Sequence, residues 1–384
     1  MSNIKFSVVI PTKNRLDLLK YAIKSVQNQD YQNWELIISD NCSEEDIGGY
    51  VSSLNDSRIT CVRQNEPLSV CDNWNKVNDL ATGDYIIMLG DDDALLPEYF
   101  SRCLEQIEKF DNPELIYHSC YYYMQSNVSP IEPDGWVKSS KYIHPLTACS
   151  QVPYLMPREH IETNIKSTMN LFFTFGFNAQ FFLYSKELVK KMEKYGKFYQ
   201  PPYPDTYAAN MMMLVADSVV VIPYEMVILG ITPKSYGWYH ANNKEKEGMS
   251  FHKDADYREY APLSVRNKLL NIAEMQTAAV ATLALIPEKF PERDDLHINI
   301  DAYYNQVVQR IINDYDKKTA DKILAKEVFP KLNLKQKFEN WKLAKKYFKE
   351  KVNPEIVHDK TYSYENSQVL IEAYKNKTLK VKKF

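Results

Sequence analysis

Over its first 125 residues the chain alternates between two patterns, a short apolar run suited to burial on both faces and a segment with apolar residues at helical spacing. Residues 5–10 form one such run, stopped by Pro11, and Leu16, Leu19, Ile23 and Val26 then mark a helical face. Further strands are expected over 35–39, 59–63, 85–89 and 115–123. Helices are expected near 44–54, through Val70, Trp74, Val77 and Ala81, and after Pro97. Strands separated by helices of ~10–15 residues predict an α/β fold with a parallel sheet covered on both faces. Ligands of such sheets bind at the carboxyl ends of the strands. Residues 134–175, with several Pro and no clear period, read as long loops with short helices. A strand is then expected over 181–185, helices over 186–195 and 205–216, and two strands over 218–222 and 225–229. Past Pro262 the pattern is helical over 262–286, 300–328, 333–351 and 366–376. The chain so divides into 1–120, 121–250 and a mainly helical 251–384.

Only 10 of the 384 residues are Gly, and neither G-x-G-x-x-G nor G-x-x-x-x-G-K-[ST] occurs. The two commonest glycine-cradled nucleotide sites are excluded, so any nucleotide must be held in another way. A formal net charge of -3 argues against a general nucleic-acid binder. That average conceals a basic tail, since residues 331–384 hold 14 Lys and no Arg against six acids. The six Cys form no C-x-x-C pair, which argues against a zinc site or a disulfide framework. No apolar run reaches the ~18 residues of a membrane span, and no export signal is visible at the N-terminus. A cytoplasmic protein is the expectation.

Three consecutive carboxylates, Asp91-Asp92-Asp93, follow Met88-Leu89-Gly90 at the end of a strand expected near the middle of the sheet. Like charges so packed repel unless a cation or a set of donors compensates. Mg2+ or Mn2+ is one solution, since either takes one or two carboxylates and completes its shell with water and phosphate oxygens. A solvated turn leading to a helix cap before Pro97 is the other. Two more polar segments, Pro11-Thr12-Lys13-Asn14-Arg15 and Asp40-Asn41-Cys42-Ser43, leave strands that would end on the same rim.

Val8 through Arg15, Glu35 through Ser43 and Ala81 through Asp93 resemble, in order and spacing, the successive signatures of family 2 glycosyltransferases of the GT-A fold. The resemblance is dense over residues 5–105, patchy to about 235 and absent from the C-terminal third. It implies a Rossmann-like nucleotide-binding domain, with a mostly parallel sheet, followed by a helical extension. The activity implied is inverting transfer of a sugar from a nucleotide donor, most often a UDP-sugar, to a hydroxyl of a glycan or lipid-linked glycan, in bacterial surface polysaccharide biosynthesis.

Residue by residue, the resemblance puts Pro11, Thr12 and Asn14 in the loop that contacts the nucleoside. Asp40 falls on the acid that accepts a hydrogen bond from uracil N3–H, a helix cap being its other reading. Asn73 matches a donor-facing Asn or is a buried structural residue. Asp92 falls on the ligand of Mn2+ or Mg2+, with Asp91 near ribose or diphosphate and Asp93 beside the metal. Gly90 departs from the first Asp that many relatives carry. An inverting transfer needs a base for the acceptor hydroxyl, and Asp205, after Pro204 and before a helical run, fits both that base and an N-cap. His240 is expected on the metal or diphosphate, or in a loop without a role, and Lys234 and Ser235 are candidates for phosphate.

In 333–351, Leu334, Phe338, Trp341 and Phe348 share one helical face, with Lys335, Lys342, Lys346 and Lys349 largely off it. Such a helix docks on anionic lipid at the inner membrane face, packs on its own domain, or meets a second copy. Two other functions compete with transfer. One is a GT-A-like module that binds a nucleotide-sugar or glycan without turnover, supported only by Gly90. The other is a sugar-phosphate nucleotidylyltransferase, whose Gly-rich N-terminal loop is missing here.

Overall fold

The computed structural model describes residues 3–129, 132–242, 256–272 and 274–350. Strands β1 (Phe6–Thr12), β2 (Trp34–Asp40), β3 (Ile59–Arg63) and β4 (Tyr85–Met88) run parallel in the order β3-β2-β1-β4. Phe6 through Ile10 and Tyr85 through Met88 are buried, which is why these strands read as continuous apolar runs. The helix Leu16–Gln27 turns Leu19, Ala22, Ile23 and Val26 inward, the face its spacing predicted. Ser69 caps the helix Val70–Asp79 by accepting from Asp72 N, and Asp46 caps Ile47–Ser53 by accepting from Gly49 N. Caps of this kind contribute about 1 kcal/mol each.

Beyond β4 the mostly parallel sheet takes in antiparallel strands that the alternation of elements did not locate. β5 (Ala94–Leu95), β6 (Leu115–Met124), β7 (Trp136–Ser139), β8 (Tyr154–Leu155), β9 (Phe182–Ser185) and β10 (Val219–Ile231) complete it. β9 lies between β4 and β6, antiparallel to both, and β5 pairs antiparallel with β10. The two strands expected over 218–229 are one strand, β10. Pro223 cannot donate to the ladder, and the register against β6 shifts between Ile222 and Glu225 instead of breaking.

The expected helix 300–328 is interrupted after Ile300–Asp314, where Asp316 accepts from Lys318 N and Thr319 N to start Lys317–Ile323. The stretch 262–286 likewise holds two helices, Leu263–Arg266 and Glu274–Leu283. The latter packs on the helix Pro204–Val215, and Tyr203 N just before that helix donates to Thr282 Oγ1 at 3.1 Å. One continuous core runs from Phe6 to Ala344. Among the described residues no helix is long and apolar enough to cross a membrane. The helix expected over 366–376 lies outside them.

Candidate active site

The acidic turn is held from three sides. Leu89 N donates to Val9 O of β1, Asp93 N to Gly90 O, and β5, directly after the turn, pairs with Val227 and Ile228 of β10. The segments leaving β1, β2 and β4 therefore meet on one rim, where the sequence expected them.

The three carboxylates have separate surroundings. Asp91 accepts from Thr12 Oγ1 (2.7 Å) and from Arg15 Nη1 (2.9 Å). Burial raises its pKa despite the Arg15 charge. Asp92 is the most accessible side chain of the Asp91–Arg15–Asp92 group after Arg15, at 11%. Its Oδ2 accepts from Ser235 Oγ and from Thr232 Oγ1 (3.4 Å), with Arg15 Nη1 at 3.8 Å, and its Oδ1 accepts from none of the described residues. Asp93 is turned inward and 1% exposed. It accepts from Gly90 N (2.9 Å), Gly230 N (2.8 Å) and Gln180 Nε2. Burial, with the neighbouring Asp92 charge, pushes its pKa up to about 8.

Arg15 is the local counter-charge. Burial opposes its charged form, but Asp91 and Asp92 outweigh that and raise its pKa. Its other nitrogen donates to Lys234 O, and Lys234 Nζ pairs with Asp17 at 2.8 Å. Arg15, Thr232, Gln180 and Gly230 were not singled out from the sequence as parts of the acidic turn's setting. Arg15 alone left a signal, as the last residue of a quoted motif, whereas the others depend on how β9 and β10 pair.

Gly90 has a packing explanation. A methyl group there would overlap the inward Asp93 carboxylate, so the Gly and the third Asp belong together. At Gly230 a methyl would overlap the Asp92 carbonyl oxygen.

The remaining candidates divide. Thr12 reaches the acidic turn, as above. Pro11 lies in β1, and Asn14, in the left-handed region at φ 55, accepts from Glu44 N through its side chain while its own N–H donates to Ser43 Oγ. Asp40 is fully buried, with Oδ1 accepting from Ser43 N (2.8 Å) and Oδ2 from Arg63 Nη1 (2.7 Å). Asn73 is buried and accepts from Ser39 Oγ at 2.5 Å. Both therefore brace the end of β2.

Asp205 stands in the first turn of Pro204–Val215. Tyr203, not Asp205, is the N-cap, and Asp205 Oδ1 accepts from Thr206 N at 2.7 Å. Burial pushes the Asp205 pKa up to about 6. The same burial, with the charges of Asp72 and Asp205, pushes the Cys71 thiol up to about 12. Cys71 lines a cleft of about 520 Å³ with Ser69, Asp72, Lys197, Tyr199 and Tyr260. The backbone of His240 lies in the helix Tyr236–Ala241, and its side chain is outside the described residues.

This sheet, with a polar rim at the carboxyl ends of β1, β2 and β4, defines an α/β protein whose ligand side is that rim. Residues 7–192 match the family described as Glycosyl transferase family 2, and they form a domain of that family. Among curated relatives, "Putative colanic acid biosynthesis glycosyl transferase WcaA" of Escherichia coli (strain K12) is 38% identical over 31% of this chain and 44% of its own length. The "GalNAc(5)-diNAcBac-PP-undecaprenol beta-1,3-glucosyltransferase" of Campylobacter jejuni is 40% identical over 27% and 34%. The chain thus spans less than half the length of these relatives. The crystal structure of S. aureus TarS 1-349 in complex with UDP-GlcNAc superposes with a TM-score of 0.52 and 13% identity, over 94% of this chain and 97% of that one. That likeness is one of fold, the GT-A fold, and it extends through the C-terminal helices.

Proposed function

We propose that the chain is an inverting glycosyltransferase. It moves a sugar from a nucleoside-diphosphate donor, with UDP the favoured nucleotide, to a hydroxyl of a glycan or lipid-linked glycan in the assembly of a bacterial surface polysaccharide. The observation that carries this is the acidic turn at the end of β4, where Asp92 keeps an oxygen without a donor among the described residues. The names of the relatives, which include an undecaprenol-linked substrate, support the acceptor class.

The donor set fits a divalent ion. Its oxygens are hard, and Asp92, with Asp91 behind it, supplies the one or two carboxylates that Mg2+ or Mn2+ takes. The described residues hold no cluster of three or more His, Cys, Asp or Glu that could hold a metal. Phosphate oxygens of the donor would therefore share the coordination. Asp93 contributes by orienting the turn, because its oxygens are engaged by Gly90, Gly230 and Gln180. A bound ion would act as a Lewis acid on the departing diphosphate.

The protein's own groups do the rest. Thr12 and Arg15 hold Asp91, while Ser235 and Thr232 fix one oxygen of Asp92. Asp205 takes the proton of the acceptor hydroxyl as that oxygen attacks the anomeric carbon. A carboxylate with a pKa raised to about 6 is a stronger base than an ordinary one and is still ionised at neutral pH. Gly90, the sole support for a non-catalytic module, is accounted for by Asp93 packing.

The test is nucleotide release from a panel of UDP-, GDP-, CDP- and dTDP-sugars, offered with a bacterial lipid-linked glycan fraction. Divalent-ion-dependent release of one nucleotide, lost in Asp205→Asn, is expected. Conversion of one of these donors, with added pyrophosphate, into a nucleoside triphosphate and a sugar 1-phosphate would instead point to nucleotidyl transfer and sink the proposal.

A further inference from the structure

In the helix Leu334–Glu350 three residues of the apolar stripe, Leu334, Phe338 and Trp341, are turned to the outside. Among its described side chains Asn340 and Ala344 are the buried ones, and the helix packs on Ile300–Asp314. Leu334, Phe338 and Trp341 are 86%, 55% and 45% exposed. At 3.6 residues per turn the stripe lies about 100° around the axis from the buried pair. The reading in which this stripe packs on its own domain therefore does not describe these three residues. The Phe338 and Trp341 rings stack at 6.3 Å, with Lys342 Nζ 4.3 Å from the first ring centroid and Lys345 Nζ 3.7 Å from the second. Exposed rings bordered by lysines are suited to a surface that is apolar inside and anionic at its boundary.

A second exposed aromatic pair, Phe172 and Phe173, is tied to the same support. Gln306 Nε2 donates to Leu171 O (2.9 Å) and Asn299 Nδ2 to Asn170 Oδ1 (2.8 Å), while Gln336 of the stripe-bearing helix donates to Asp301. Both aromatic patches thus hang on the N-terminal half of one helix, Ile300–Asp314. From Phe173 the chain runs on to Gln180, which donates to Asp93 in the acidic turn.

Charge and area select the occupant. Residues 334–350 carry six Lys against two Glu, and residues 331–384 have a net charge of +8. A second copy would bring two such helices together. Three side chains already covered in part also fall well short of the ~800 Å² per partner of a stable interface. A lipid surface bearing negative headgroups meets neither objection.

We propose that Leu334, Phe338 and Trp341, with the lysines beside them, seat the protein on an anionic bilayer, Phe172 and Phe173 extending the contact toward the active site. The contact deepens the proposed function by bringing a lipid-linked acceptor to the rim, and it rests on that reading only for this purpose.

The test is co-sedimentation of the full chain with vesicles of phosphatidylcholine alone and with about one third phosphatidylglycerol. Binding to the anionic vesicles only, weakened by salt and at least ~10-fold weaker in the Phe338→Glu/Trp341→Glu double variant, is expected. A melting temperature and UDP titration equal to wild type would show the double variant to be folded with its donor site intact. Three outcomes overturn the proposal: no binding to anionic vesicles, equal binding by the variant, or a wild-type dimer that the variant dissolves while neither binds lipid. Lipid binding without UDP binding would instead spare the membrane contact and remove the transferase reading.

Discussion

Gly230→Ala tests how the acidic turn is positioned without altering a charge. The added methyl would sit about 1.5 Å inside ordinary contact with the Asp92 carbonyl oxygen, a backbone atom that no rotamer change can move. Either β10 or the Asp92 peptide must shift, and Gly230 N is also a donor to Asp93. Overpacking of this kind costs typically 1–3 kcal/mol. For a chain of this size that lowers Tm by roughly 1–4 °C. A displacement of more than ~1 Å at Asp92 is expected to weaken UDP binding in the presence of Mn2+ by ~10- to 100-fold. Differential scanning fluorimetry and calorimetry read the two effects. Gly48→Ala is the control, since a methyl there meets nothing within 4 Å and its helix should be unchanged or stabilised by about 0.5 kcal/mol. Wild-type Tm and UDP affinity in Gly230→Ala would refute the reasoning.

Further expectations concern charge. Asp205→Asn should lower turnover by about 10²- to 10⁴-fold with donor binding nearly intact, and kcat/KM of the wild type should fall as pH drops through about 6, a limb absent from the variant. Because the folded pKa of Asp205 is raised, its ionisation opposes folding as pH rises from about 4 through 6. Asp205→Asn should therefore melt higher than wild type at pH 8, with the gap closing below pH 4. Glu35 behaves oppositely. Burial would raise its pKa, but bonds from Lys5, Ser7 and Thr82 hold it down to about 2, so the melting deficit of Glu35→Gln should be full above pH 4.5 and fade as pH falls toward 2. Arg15→Gln leaves Asp91 and Asp92 without their counter-charge. Its Tm should fall in chelator and recover more on adding Mn2+ than that of wild type.

The order of elements through Leu115–Met124 was legible because strands buried on both faces and helices buried on one carry different periods. The parallel run of β1 to β4 was legible too, but strand direction beyond it was not. β9 reads as the same apolar run whether it pairs parallel or antiparallel with β4 and β6, and only the pairing brings Gln180 onto Asp93. The acidic turn was visible as three adjacent charges, yet the inward turn of Asp93, which the resemblance put beside the metal, was not. Asp93 faces inward because Gly90 leaves it room and Gly230 offers it an N–H across more than a hundred residues of chain. Asp40 and Asn73 show the converse, polar side chains in family motifs whose visible partners are Arg63, Ser43 and Ser39. Short polar residues after a strand read alike whether they face a ligand or brace a turn.

The central claim is that the rim formed by β1, β2 and β4 binds a nucleoside diphosphate through the acidic turn. Calorimetric titration of UDP, with CDP, GDP and dTDP as comparators, tests it most directly when run with Mn2+ and with chelator on wild type and Asp92→Ala. The account predicts a preference for one nucleotide, UDP, that requires the divalent ion and is lost in Asp92→Ala. Absence of binding to all four by a folded sample, or binding untouched by chelator and by Asp92→Ala, would contradict it.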